Sequence, residues 1–262
     1  MLMAVAQFGA TTDKAANLAA VGDLVARAAE RGAGLVLLPE YAMSWDPRPT
    51  PEGLRADAEP IDGPFVTALG QLAVRYGITV VAGMTEETGA RPANTVVAVG
   101  PDGVPQGRYR KVHLYDAFGD RESDRLQAAP PEALVLPLGG LGVGVMTCYD
   151  LRFPEMARFL VDAGADVLLV PAAWMAGPGK AMHWQVLARA RAVENTAYVL
   201  AAGQCGQYRT GRSLAVGPAA EVLAELGDEP GVAVVDIDPE TVVKVRERNP
   251  SLTNRRFGVV PR

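Results

Sequence analysis

The sequence predicts an α/β protein built around a mixed sheet, and three observations carry that expectation. Amphipathic helical stretches alternate with short apolar strands, the helices repeatedly stop at a glycine just before the next strand, and two strand pairs turning through glycine read as antiparallel additions. The 262 residues amount to about 1.7 typical domains. No Ser/Gly linker, proline tract or composition break divides them, so residues 1–262 are expected to form one domain.

Residues 2–8 read as the first strand. From Asp13 to Arg31, a helical period places Leu18, Val21, Val25, Ala28 and Ala29 on one face, and Gly32 follows as the stop. The strand Leu35 to Leu38 comes next. The stretch from Trp45 to Pro60 carries prolines 47, 49, 51 and 60 and reads as a rim or lid loop rather than regular structure. A helix from about Gly63 to Tyr76 stops at Gly77 before the strand Thr79 to Ala82. Thr95–Val99 turns through Pro101-Asp102-Gly103 into Gln106–Tyr109, and Leu134–Leu138 turns through Gly139-Gly140 into Val143–Thr147. Pro154 opens a helix that ends near Gly164, ahead of the strand Val167–Val170, and a further helix begins near His183 with Trp184, Leu187 and Ala188 as its packing face.

One segment returns later in the chain. Gly32-Ala33-Gly34-Leu35-Val36-Leu37-Leu38-Pro39-Glu40 resembles Gly164-Ala165-Asp166-Val167-Leu168-Leu169-Val170-Pro171-Ala172, which predicts two related halves. Glu40 stands opposite Ala172 in this alignment, so a strand-end corner of this kind does not need a carboxylate.

Composition narrows the function. A net charge of −5, a pI near 5.2 and no long run of like charge give no electrostatic reason to seek nucleic acid or an anionic membrane. The N-terminus has neither a basic region nor a long apolar one, and two cysteines, Cys148 and Cys205, do not make a disulfide scaffold. The expectation is a cytoplasmic enzyme acting on a small molecule.

Three strand ends carry groups with chemical potential. Cys148 follows the apolar run Val143–Thr147 and precedes a helix opened by Pro154, a place where turn N–H groups can stabilise a thiolate or an oxyanion; a buried core thiol is the alternative. Glu40 ends a strand, where partial desolvation suits a proton shuttle, against a solvated loop glutamate. Lys111 follows the strand Gln106–Tyr109, against an ordinary surface lysine. Together they suit acyl transfer: the carboxylate takes the thiol proton, the sulfur attacks, and the ammonium with a backbone N–H offsets the developing charge. That chemistry requires no metal or cofactor, and two histidines and two cysteines without ligand spacing predict none.

The pieces Leu37-Leu38-Pro39-Glu40, Tyr109-Arg110-Lys111-Val112-His113-Leu114 and Thr147-Cys148-Tyr149-Asp150-Leu151-Arg152-Phe153-Pro154-Glu155 resemble the three signature motifs of the nitrilase superfamily, the carbon–nitrogen hydrolases, in order and spacing. The similarity extends through His183 to Asn195 and covers essentially the whole chain. It implies a four-layer α-β-β-α sandwich that pairs into a homodimer. It also implies Glu40 as general base and acid, Lys111 as transition-state cation, Cys148 as nucleophile, Tyr149 N–H in the oxyanion hole and Glu122 as a second, positioning glutamate. The Cys148 motif looks most like the amidases of ω-amidase or deaminated-glutathione type, which implies ammonia release from a small amide through a thioester. N-carbamoyl amide and nitrile hydrolysis stay open within the same chemistry, as does a catalytically silent interaction protein of the same fold.

Where many family members carry Asp-Pro-x-Gly, this chain has Gly217-Pro218-Ala219-Ala220, which puts the shape of that hairpin in question. No appended domain is expected after residue 250. Around the presumed pocket, Trp174, Met175 and Tyr115 are candidate substrate contacts, with Phe118 close by in sequence. Arg152 is a candidate partner for a substrate carboxylate, the alternative being a salt bridge that holds its turn. His113 and His183 raise a thiol–imidazole pair as a rival mechanism, and Cys205 reads as a structural thiol.

Overall fold

The computed structural model describes residues 1–261. Its elements are β1 (Leu2–Gln7), α1 (Lys14–Glu30), β2 (Leu35–Leu37), α2 (Pro51–Asp57), α3 (Pro64–Tyr76), β3 (Thr79–Glu86), β4 (Ala93–Val99), β5 (Pro105–Arg110), β6 (Val135–Leu138), β7 (Leu141–Val145), α4 (Pro154–Asp162), β8 (Val167–Ala172), α5 (Lys180–Asn195), β9 (Tyr198–Gly203), β10 (Leu214–Val216), β11 (Val222–Glu225), β12 (Gly231–Asp236) and α6 (Pro239–Arg248). They form two six-stranded mixed sheets, ordered β12-β1-β2-β3-β4-β5 and β11-β10-β9-β8-β7-β6.

Period-two alternation explains how the layers stack. On β1 and β2, Met3, Val5, Leu35 and Leu37 join the core between the sheets, while Ala4, Ala6, Val36 and Leu38 pack on the other face against Val21, Leu24 and Val25 of α1 and Phe65 and Leu69 of α3. With both faces covered, these parallel strands are apolar apart from Gln7 at the end of β1. The second sheet packs its outer face on α4 and α5 through Leu160, Trp184 and Ala188. The result is the four-layer α-β-β-α sandwich implied by the resemblance.

The two halves are visible in the topology. β1, β2 and β3 are mutually parallel and continue through antiparallel β4 and β5; β7, β8 and β9 are parallel and continue through antiparallel β10 and β11. The repeated segment supplies the middle parallel strand of each half, β2 and β8. Gly32 and Gly164 precede them in the left-handed region, at φ 79° and 100°, where a side chain would add strain. Outside this pattern, β12 runs antiparallel to β1 and β6 antiparallel to β7.

Some expectations need correction. Residues 45–60 are not all loop: Pro51–Asp57 is helical, because the Thr50 hydroxyl caps Gly53 N–H at 3.0 Å and Pro51 sits in the first turn, where its missing N–H costs nothing. Thr147 lies beyond β7 and caps the turn that carries Cys148. β3 and β8 extend past Ala82 and Val170, to Glu86 and Ala172. The hairpin at Gly217 forms despite its altered sequence: Gly217 N–H donates to Glu221 O at 2.9 Å, and Ala220 occupies a left-handed conformation at φ 67°.

Candidate active site

Cys148 opens a short 3-10 turn, Cys148–Arg152, with Thr147 and Asp150 forming a capping box at its start. The Asp150 carboxylate is fully buried and gathers donors from two segments. Oδ2 accepts Thr147 N–H at 2.9 Å and the Tyr109 hydroxyl at 2.6 Å, and Oδ1 accepts His113 N–H at 3.1 Å and lies 2.8 Å from His113 Nδ1. The turn that carries Cys148 is thereby tied to the residues on either side of Lys111. Cys148 itself has φ 47°, a left-handed conformation that costs a residue with a side chain about 1–3 kcal/mol and is held here by the surrounding bonds.

Glu40 lies just past β2 and is 1% exposed. Its approach to β3 depends on Gly83, since a Cβ there would lie 2.6 Å from Glu40 Cα. Oε1 accepts Lys111 Nζ at 3.0 Å and Asn94 Nδ2 at 2.7 Å, and Oε2 accepts Ala173 N–H at 2.7 Å. The Glu40 backbone carbonyl accepts Gln204 Nε2 at 2.7 Å. Lys111, directly after β5, is tied by its N–H to Asn94 O at 2.8 Å, and its ammonium also lies 2.9 Å from Glu122 Oε2. Glu122 further accepts Tyr115 N–H at 2.6 Å and the Tyr41 hydroxyl at 2.7 Å.

The electrostatics follow from burial and these charges. Burial alone would discharge Lys111, but Glu122 and Glu40 outweigh it and hold the ammonium well above its usual range. Burial raises Glu122, yet Lys111 and the donated hydrogen bonds leave it below an ordinary glutamate. The Cys148 thiol is pushed well up by burial and by the Glu40 charge, with Lys111 opposing, so the resting group beside Glu40 is a thiol. Burial and the Glu122 charge raise the Tyr41 hydroxyl in the same way.

Glu40, Lys111, Glu122 and Cys148 line one cavity of about 870 Å³, together with Tyr115, Tyr149, Arg152, Trp174 and Met175. Every side chain singled out for the site in the sequence therefore meets there. Tyr149, second in the 3-10 turn, has a backbone N–H without an acceptor inside the turn. No carboxylate lies within salt-bridge distance of Arg152 among the described residues, and its Nε and Nη2 are buried without a hydrogen-bond partner. Its guanidinium lies 4.7 Å from the Trp174 ring centroid and 5.5 Å from that of Phe118.

Residues 44–49, one side of α2 through Gly53, Leu54, Ala56 and Asp57, and Phe118 also border the cavity, as does Lys180, which sequence reading missed. Lys180 opens α5 and is 9% exposed; its ammonium lies 3.3 Å from the Phe118 ring centroid and donates to the Tyr115 hydroxyl at 3.2 Å. A signal existed: a lysine in the first turn of a helix opposes the helix dipole and needs another reason to be there. Asn94, also missed, is a buried polar residue on β4, whose other side chains apart from Thr95 are apolar.

The histidines are used elsewhere. His113 bonds to Asp150 and stacks on Phe153 at 3.7 Å, and His183 sits in the first turn of α5, its N–H bonded to Gly179 O at 2.9 Å. Cys205 is buried away from the cavity lining.

Residues 2–247 match the family model described as carbon-nitrogen hydrolase. The chain belongs to that family. This carbon–nitrogen hydrolase is 42% identical over 272 residues to a Mycobacterium tuberculosis protein named as a hydrolase, covering 97% of this chain and 95% of that one. It is 37% identical over 259 residues to the deaminated glutathione amidase of Escherichia coli, covering 98% of each. Among solved structures, the Caenorhabditis elegans NitFhit protein superposes with a TM-score of 0.90 at 28% identity, covering 98% of this carbon–nitrogen hydrolase and 66% of that chain. A double mutant of the Nesterenkonia amidase in complex with acrylamide superposes with a TM-score of 0.82 at 30% identity, covering 98% and 94%.

Proposed function

We propose that this carbon–nitrogen hydrolase is an amidase that releases ammonia from a small, carboxylate-bearing amide through a thioester on Cys148. The observation that carries the reading is the buried meeting of one thiol, one ammonium and two carboxylates at a single cavity. As the Cys148 sulfur attacks the amide carbon, its proton passes to Glu40, and the carbonyl electron pair moves to oxygen, where Lys111 and the Tyr149 N–H offset the charge. Collapse of that adduct breaks the C–N bond, and Glu40 returns the proton to the departing nitrogen, which leaves as ammonia. Glu40 then takes a proton from water, whose oxygen attacks the thioester. Breakage of the C–S bond regenerates the thiol with the proton held by Glu40 and frees the acid. Glu122 holds Lys111 in place throughout.

Arg152 and Lys180 support the substrate charge. Two cations facing one cavity without a carboxylate between them can pair with an anion on the substrate. Tyr115, Trp174 and Met175 flank that end. Relatives named deaminated glutathione amidase support the amide reading. On α5, exposed Met182, Val186 and Val193 share one helical face, which supports a homodimer as the assembled form.

The test presents the protein with ω-amides, N-carbamoyl amino acids, uncharged aliphatic amides and nitriles, measuring ammonia and the mass of a Cys148 adduct. Ammonia from carboxylate-bearing amides is expected, with Cys148→Ala inactive but folded. Preference for nitriles or carbamoyl compounds would replace the amidase reading, and turnover by Cys148→Ala would remove the thioester.

A further inference from the structure

We propose that Asn94 is a positioning residue for this site: its side-chain amide bridges the Glu40 and Glu122 carboxylates and holds both as acceptors around Lys111, so that Glu40 is free to take the Cys148 proton. Nδ2 lies 2.7 Å from Glu40 Oε1 and 3.2 Å from Glu122 Oε1, and Asn94 is fully buried on β4 between β3 and β5. Its backbone carbonyl also fixes Lys111 through the 2.8 Å bond from the Lys111 N–H. One residue therefore touches the base, the second carboxylate and the cation, without lining the cavity.

The chemical need comes from charge. Two carboxylates converge on one ammonium, with the Tyr41 hydroxyl and Cys148 thiol as the other ionisable groups facing them. Buried carboxylates this close tend to share a proton, and a carboxyl that holds a proton is no longer a base. An amide N–H fills carboxylate lone pairs but does not transfer its proton, so Asn94 satisfies both groups without supplying a proton. Aspartate has almost the same shape and would add a third carboxylate. Thr95, the next residue, offers a contrast: its hydroxyl bonds Glu86 Oε2 at 2.8 Å, outside the site.

The inference rests on the amidase reading for one of its two assays. Full-length wild type, Asn94→Ala, Asn94→Asp and Thr95→Val are compared by the pH dependence of ammonia release. They are also compared by the pH dependence of Cys148 alkylation with iodoacetamide, read by mass spectrometry with Cys205 as the internal reference. Asn94→Ala is expected to lower kcat about ten- to a hundredfold with KM within about threefold, a loss of alignment rather than of binding. In both assays its acid limb moves up by about one pH unit, and further in Asn94→Asp, while Thr95→Val keeps the wild-type profile. If Asn94→Ala does not fold, Asn94→Ser, which retains one donor, is expected to show a smaller shift in the same direction. Wild-type profiles in the Asn94 variants, or an equal shift in Thr95→Val, would overturn the proposal. If no amide is turned over even by wild type, the amidase reading falls, and the alkylation profiles alone decide the role of Asn94.

Discussion

Arg152 and Lys180 show how much a side chain's task depends on what is missing around it. Both are largely withdrawn from water, and aromatic faces rather than carboxylates surround them. Removing either charge is expected to raise KM about ten- to a hundredfold for a carboxylate-bearing amide, as for the loss of one charge-assisted bond, while leaving uncharged amides nearly unaffected. Steady-state kinetics on a matched pair of substrates checks this. Burial and the neighbouring Arg152 charge lower Lys180 below an ordinary lysine. Its positive form is therefore lost earlier as pH rises, and KM for the charged substrate should climb on the alkaline side before it would for a free lysine; Lys180→Arg, with a guanidinium that stays charged, should flatten that rise. Cys148, Glu40 and Lys111 were legible in the sequence because each follows a recognisable strand and sits in a motif. Lys180, Asn94 and Tyr41 were not, because their roles come from the convergence of α5, β4 and the corner after β2, which no local pattern encodes.

At the level of elements, the turn carrying Cys148 is held by one carboxylate. Asp150→Ala would strand the Tyr109 hydroxyl and the Thr147 N–H, both buried, and is expected to cost about 2–5 kcal/mol by denaturant unfolding. The same change frees a Cys148 backbone held at φ 47°, so activity should fall more than stability alone explains. His113→Ala removes a partly exposed bond to Asp150 and the stack on Phe153 and should cost only about 1–2 kcal/mol, with Cys148 alkylation retained. An imidazole that acted as the base for the thiol would instead make this variant as inert as Cys148→Ala. Helix α2 marks the limit of reading elements from sequence: its prolines predict irregularity, whereas Thr50 and Pro51 together make a sound helix start.

For the whole molecule, the buried charges link stability to pH. Glu122 is lower in the folded state than in the unfolded chain, so it contributes stability above about pH 4.3 that is lost as pH falls through the lower, folded value. Lys111 is raised, so its contribution is complete below about pH 10.4 and is lost only as pH rises through its higher, folded value. Urea unfolding across this range should therefore show an acid decline that Glu122→Gln softens. The layered α/β architecture was legible from alternating helices and apolar strands, and the second half from the segment repeated at Gly164. The pairing of β12 with β1 was not, because it joins the two ends of the sequence and leaves no local trace.

That pairing has a consequence for synthesis. Leu2 meets Asp236 and Gln7 meets Gly231, so β1 leaves the ribosome more than two hundred residues ahead of the strand it pairs with. At about 5–20 residues per second, the delay is roughly ten to forty-five seconds. Throughout it, β1 has one hydrogen-bonding edge without its partner, on a strand whose residues Met3 to Gln7 are all destined for burial. The nascent chain is thus sticky at β1 until β12 arrives, and chaperones have that interval in which to shield it.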